Sequence, residues 1–127
     1  MRAYHFLRNG MTSGGGESPC TVGETRTLPD DREIITCEWG YHASPSLFDA
    51  LQYAPGPMAC IVELPDDAIP HGTPVNKYAA RSRALIASVD LTRELRLFAA
   101  DCAERVLPIF GKRYPSDDRP RKAIEAA

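Results

Sequence analysis

Long apolar runs are missing from this 127-residue chain. No stretch approaches the roughly 20 residues that cross a bilayer as a helix, so no membrane-spanning segment is expected. The opening residues, Met1 to Leu7, meet Arg8 and Asn9 before an apolar segment of signal-peptide length develops. The expected location is the cytoplasm. A strong charge of one sign is also missing: 15 Lys and Arg stand against 17 Asp and Glu, a net charge of -2. That balance argues against a broad nucleic-acid footprint, which needs a basic face, although a local basic patch stays compatible with it. Cys-x-x-Cys pairs are absent among Cys20, Cys37, Cys60 and Cys102. Zinc needs four converging ligands, and the one local Cys/His pairing is Cys37 with His42, so no metal is expected. Disulfides would need an oxidising compartment. The thiols therefore read as small buried hydrophobes, with Cys37 and Cys60 in strand-like runs and Cys102 on a helix face. No Gly-x-x-x-x-Gly-Lys-Ser/Thr loop, Gly-x-Ser-x-Gly elbow or His-Glu-x-x-His helix is present. The carboxylate pairs Asp66-Asp67 and Asp117-Asp118 fall in a turn and a tail, without the shielding from water that acid-base work needs.

What is present suits one folded domain. The hydrophobic share is 43% and the charged share 25%, ordinary for a globular chain and sufficient for a core at this length. Ala3 to Leu7 reads as a short strand. Gly14-Gly15-Gly16 reads as a mobile loop. Thr21 to Pro29 can hold a short strand, and Glu33-Ile34-Ile35-Thr36-Cys37 reads as a buried one. Ser44 and Pro45 form a helix start, Leu47, Leu51 and Ala54 recur at helical spacing, and Pro55-Gly56-Pro57 ends the helix. Met58 to Leu64 and Ala84 to Val89 read as core strands, with an irregular stretch from Ile69 to Pro74 between them. Asp90 is placed to cap a long helix from Leu91 to Leu107, stopped by Pro108. Leu91, Leu95, Phe98, Ala99, Cys102 and Val106 form its apolar face. The expected fold class is α+β, a small mixed or antiparallel sheet covered by two main helices. Residues 1–110 are expected to form a single domain, and residues 111–127 a polar tail or short helix.

The densest cluster of functional side chains is Cys37-Glu38-Trp39-Gly40-Tyr41-His42-Ala43-Ser44. It places three ring side chains at a strand-to-helix turn, where a fold holds groups rigidly at the rim of a sheet. His42 suits a proton carrier near neutral pH, or it fixes the turn by bonding a backbone carbonyl. Trp39 suits stacking on a ligand or covering the core edge. Lys77, Arg81 and Arg83 lie within seven positions. They suit phosphates or an acidic protein surface, or they keep a strand edge from pairing with other chains. The partner-binding candidates are thus Trp39, His42, Lys77, Arg81 and Arg83.

The run from Cys37 through Asp49-Ala50-Leu51-Gln52-Tyr53-Ala54-Pro55-Gly56 resembles a phage and prophage family of unassigned function. Its hallmark is Cys-Glu-x-Gly-aromatic-His-Ala followed by an Ala-Leu-x-Tyr-Ala-Pro-Gly helix end. Lys77 to Ile86 and Asp90 to Ala103 resemble that family too, and the likeness covers most of residues 2–110. Members often continue further, so a shortened C-terminal part is expected here. The resemblance implies a phage-encoded accessory protein that binds a host protein or defence complex, an anti-CRISPR role being the most concrete version, without a cofactor. A fainter resemblance is to ADP-ribosyltransferases: Tyr4-His5, Gly40-Tyr41-His42, Ala50 to Ala54 and Ile61-Val62-Glu63 are similar in order. It implies NAD as cofactor, His5 as the clamp on it, and Tyr41 or His42 packed on the nicotinamide, which makes His5, Tyr41 and His42 the catalytic candidates. The family's late glutamate has no counterpart in place. Glu63 comes on the wrong strand and Glu94 falls in a predicted helix, so a developing positive charge lacks its partner.

Overall fold

The computed structural model describes residues 1–14 and 16–127. The chain is α+β and divides into two compact units, Met1–Asp90 and Leu91–Ala127. The boundary expected at residue 110 falls inside a helix of the second unit.

The first unit holds seven strands and one short helix: β1 (Arg2–Leu7), β2 (Thr25–Thr27), β3 (Tyr41–Ala43), α1 (Leu47–Leu51), β4 (Met58–Glu63), β5 (Ile69–His71), β6 (Lys77–Ala80) and β7 (Ser82–Asp90). They form two antiparallel sheets rather than one, in the orders β1-β4-β7-β2 and β3-β6-β5. Alternation along β1 sends Ala3, His5 and Leu7 to one face. Their partners across β4 are Val62, Cys60 and Met58. Leu85 of β7 extends that face, and Leu64, Cys20, Ala43 and Ala80 close over it as the core. The third core strand, expected from Ala84, begins two residues earlier and carries Arg83 into the same interior.

Between the sheets the chain turns twice. Tyr4 and Ser44 exchange two backbone hydrogen bonds of 2.8 Å each, which tie β1 to the end of β3. That bridge corrects the expected helix start. Ser44 is held extended, and the following proline favours extension at that position. The cap passes to Ser46, whose Oγ accepts the Asp49 amide at 3.0 Å. At the other junction only Arg81 separates β6 from β7. Its guanidinium donates to the carbonyls of Pro29 and Arg32 and pairs with Asp30 at 2.9 Å, latching the preceding loop to this corner.

The buried strand expected at Glu33 to Cys37 does not form. Ile35 and Trp39 bridge to each other, each amide bonding the other's carbonyl at 2.8 Å, and residues 36–38 make the turn between them. The run folds back on itself and satisfies its own backbone, so it joins no sheet. Cys37 sits at the tip with φ 70°, exposed rather than buried. Gly40 follows at φ 153°, where a Cβ would come within 3.0 Å of Ile34 Cγ2.

The second unit consists of α2 (Thr92–Arg113) and α3 (Arg119–Glu125). Leu91, not Asp90, occupies the N-cap position. Pro108 does not stop α2; the helix runs on to Arg113. Proline removes one intrahelical bond, and on an exposed helix water can take the carbonyl that bond would have used. Ala99 and Ala103 of α2 face Ala123 and Ile124 of α3 across a groove, and Arg121 pairs with Glu104 at 3.1 Å. Neither helix buries a residue. Of the expected core face, Phe98, Ala99, Cys102 and Val106 are exposed, and Leu91 and Leu95 are half-buried. Among the described residues no helix is long and apolar enough to cross a membrane.

Candidate functional site

A cleft of about 330 Å³ opens in the first unit, lined by Tyr4, His5, Cys37, His42, Tyr53 and Lys77 among others. Its walls come from β1, the loop at Ser13 and Gly14, the 36–38 turn, β3 with Ser44 after it, α1 with Tyr53 and Pro55 after it, and the start of β6. Among the described residues no carboxylate lines it.

His5 reaches the cleft from the inner face of β1. Its Nε2 is buried with no hydrogen-bond partner among the described residues. Burial, then the charges of Arg83 and His42, push its pKa from 6.5 down to about 3. His5 is therefore a neutral imidazole at physiological pH. His42 follows the same rule: burial, then the Lys77, Arg83 and His71 charges, hold it below the usual histidine value. Its Nε2 accepts the Cys37 amide at 3.0 Å, which leaves the proton on Nδ1. The bond runs to the backbone and not to the thiol, so the two residues are not a nucleophile-base pair. The ring fixes the turn, through an amide donor rather than the expected carbonyl.

Lys77 is the positive group of the cleft. Its Nζ lies 3.5 Å over the Tyr53 ring and 3.5 Å from Cys37 Sγ. Sequence reading assigned Lys77 to a basic run and Cys37 to a buried strand, and it left Tyr53 without a role. Three residues from separate segments meet here, and only the fold brings them together. Among the described residues no three His, Cys, Asp or Glu side chains converge as metal ligands.

The remaining candidates lie elsewhere. Tyr41 stands outside the cleft with its ring 5.1 Å from the Arg83 guanidinium, and burial raises its phenol pKa. Arg83 is only 8% exposed and donates to the His42 carbonyl at 2.9 Å. Its guanidinium thus supports the cleft from beneath and cannot meet a partner directly. Arg81 is engaged by the 29–32 loop, as described above. Trp39 is half-buried under the Arg32 guanidinium, 4.7 Å from the ring, with its Nε1 unpartnered among the described residues. Glu63 pairs with the Met1 ammonium at 3.3 Å and does not line the cleft; Glu94 is on α2.

No curated protein and no solved structure matches the chain. Residues 84–127 match a family model described as "Imm-5 like putative immunity protein". That match takes in most of β7 and the whole helical unit, and it makes this part of the chain similar to that family.

Proposed function

We propose that the protein works by stoichiometric binding of another protein, in the manner of an immunity protein, with α2 as its principal contact. One observation carries this reading. The residues that match the Imm-5 like family include a long helix, α2, with large apolar side chains left in solvent. Phe98, Val106 and Ile109 are 47%, 56% and 72% exposed, and their spacing gathers them on one side of the helix. Exposed apolar stripes of this kind mark interaction surfaces. The partner chemistry that fits is a protein offering an apolar groove to a helix. In its narrower form the protein is phage-encoded and acts in the host cytoplasm on a defence complex, as an anti-CRISPR does. Trp39, His42 and Lys77 add contacts from the first unit, and no cofactor is needed.

The test is co-expression with a candidate effector or defence complex, followed by gel filtration and an inhibition titration. Inhibition is expected to saturate near one protein per partner. A Phe98→Glu/Ile109→Glu double variant with an unchanged circular dichroism spectrum is expected to weaken binding by about 100-fold or more, the effect of losing two central anchors. Full inhibition by that variant, or turnover in place of stoichiometric inhibition, counts against the reading.

A second reading is favoured by the cleft: Tyr4, His5 and His42 line one concavity, as NAD binding would need. Without a lining carboxylate it is a binding reading rather than one of group transfer. Calorimetric titration with NAD is the check. Heat that disappears in His5→Ala and His42→Ala variants supports it, and no heat from the parent protein ends it.

A further inference from the structure

The cleft has one feature that neither reading uses. Cys37 is an exposed thiol at the tip of a three-residue turn, in the left-handed backbone region at φ 70°. Non-glycine residues seldom occupy that region, and such outliers cluster at functional positions. The turn is locked from two sides. His42 Nε2 accepts the Cys37 amide, and the Ile35–Trp39 bridge closes the loop. The Lys77 ammonium lies 3.5 Å from the sulfur, itself placed by the Tyr53 ring. A cation beside an exposed thiol draws a negatively charged reagent to the sulfur. A second, independent observation points to a ligand. His5, whose Nε2 is buried and unpartnered among the described residues, lines the same cleft, and of the residues with such an atom it alone does so. With no carboxylate among the described lining residues, the basic groups of the cleft are an ammonium and imidazoles. They suit a ligand that carries acidic groups.

We infer that Cys37 is a thiol-modification site that exchanges with a small anionic disulfide, the acid groups of which are received by Lys77 and His5. The Cys37 proton leaves to solvent and the thiolate attacks one sulfur of the disulfide. A bond forms between Cys37 Sγ and that sulfur as the original sulfur-sulfur bond breaks. The departing thiolate takes up a proton from solvent. Cys37 is oxidised from thiol to mixed disulfide, and one half of the small disulfide is reduced to thiol. Lys77 acts on the acidic groups, drawing in the disulfide and holding the half that stays. The other cysteines do not compete on these terms. Cys20 and Cys60 are buried, and burial pushes the Cys60 thiol up to about 11. Cys102, exposed on α2, is an internal reference.

The full chain is treated with oxidised glutathione, which carries carboxylates, and separately with cystamine, a disulfide that carries ammonium groups. Mixed-disulfide formation at each cysteine is followed by peptide mass spectrometry. With oxidised glutathione, Cys37 is expected to react about tenfold faster than Cys102, the effect of one adjacent positive charge on an anionic reagent near the surface. With cystamine that lead is expected to vanish. Lys77→Met brings Cys37 down to the Cys102 rate, Lys77→Arg preserves the lead, and His5→Leu narrows the preference for glutathione over cystamine. Equal rates at Cys37 and Cys102 with oxidised glutathione would overturn the assignment. A Cys37 lead that survives Lys77→Met in folded protein would overturn it equally.

Discussion

Replacing Gly56 by alanine is expected to destabilise the protein by about 3 kcal/mol, the upper end of what forced overpacking costs. A Cβ at this position would stand 2.6 Å from Arg8 Cα and 2.9 Å from the Leu7 carbonyl oxygen, both backbone atoms. Backbone cannot swing aside as the end of a long side chain can. The glycine sits between Pro55 and Pro57, whose rings fix φ on either side and leave the turn little freedom to retreat. Relief would have to come from the end of β1, where Leu7 is 1% exposed and part of the core. Thermal unfolding is the measurement, with a midpoint lower by about 10–20 °C for a unit of this size. Gly111→Ala is the contrast. Nothing lies within 4 Å of a Cβ there, and the position is inside α2. That substitution is expected to leave the midpoint unchanged or to raise it slightly, since alanine favours a helix by about 1 kcal/mol over glycine. A Gly56→Ala midpoint within 2 °C of the parent, on the order of experimental error, would mean that the approach of this turn to β1 is not as close as described.

The same turn shows what the sequence made legible. Pro55-Gly56-Pro57 announced the end of a helix, but not that the glycine was required by a strand almost fifty positions earlier. Local chemistry was readable wherever the chain decides locally. The apolar runs at β1, β4 and β7 and the amphipathic α2 all follow from period and composition. The failures arise where local signals are outweighed, by a distant partner or by another local solution. Ser44 carries every mark of a helix cap, yet Tyr4 claims its backbone for a bridge. Glu33 to Cys37 has strand composition, yet Ile35 and Trp39 bridge to each other and the run closes on itself. Pro108 reads as a stop, yet an exposed helix can pass through it. The cleft was half legible. His5 and His42 were named from order and residue type. Lys77, Cys37 and Tyr53 assemble only because β6, the turn and the end of α1 converge, and no spacing in the sequence encodes that. Arg83 looked like a surface base in a basic run, whereas its register opposite Arg26, beside the core face, places it inside.

Acidification is expected to weaken the fold well before its carboxylates protonate, and His5 is the reason. In the unfolded chain His5 titrates near 6.5; in the folded protein burial, Arg83 and His42 bring it down to about 3. Between those values the unfolded state binds a proton that the folded state refuses. Stability therefore rises with pH across this window. It is complete above about pH 6.5 and falls by about 1.4 kcal/mol for each unit of acidification toward pH 3. From pH 6.5 to 4.5 the expected loss is about 2–3 kcal/mol. His42, also held below its usual value, adds to the loss in the same direction. Asp117, which its hydrogen bonds with Arg119 hold at about 2, acts only in stronger acid. Urea unfolding at pH 7 and pH 4.5, repeated on His5→Leu, isolates the contribution. Leucine has no proton to refuse, so most of the difference between the two pH values should disappear. An undiminished difference in His5→Leu would place the acid sensitivity elsewhere. The slope also reports on the cleft. An anionic occupant that accepts a hydrogen bond from Nε2 would favour the protonated imidazole, raise its pKa and flatten the acid limb. A ligand for the cleft should thus be detectable as a change in pH dependence even where it triggers no chemistry.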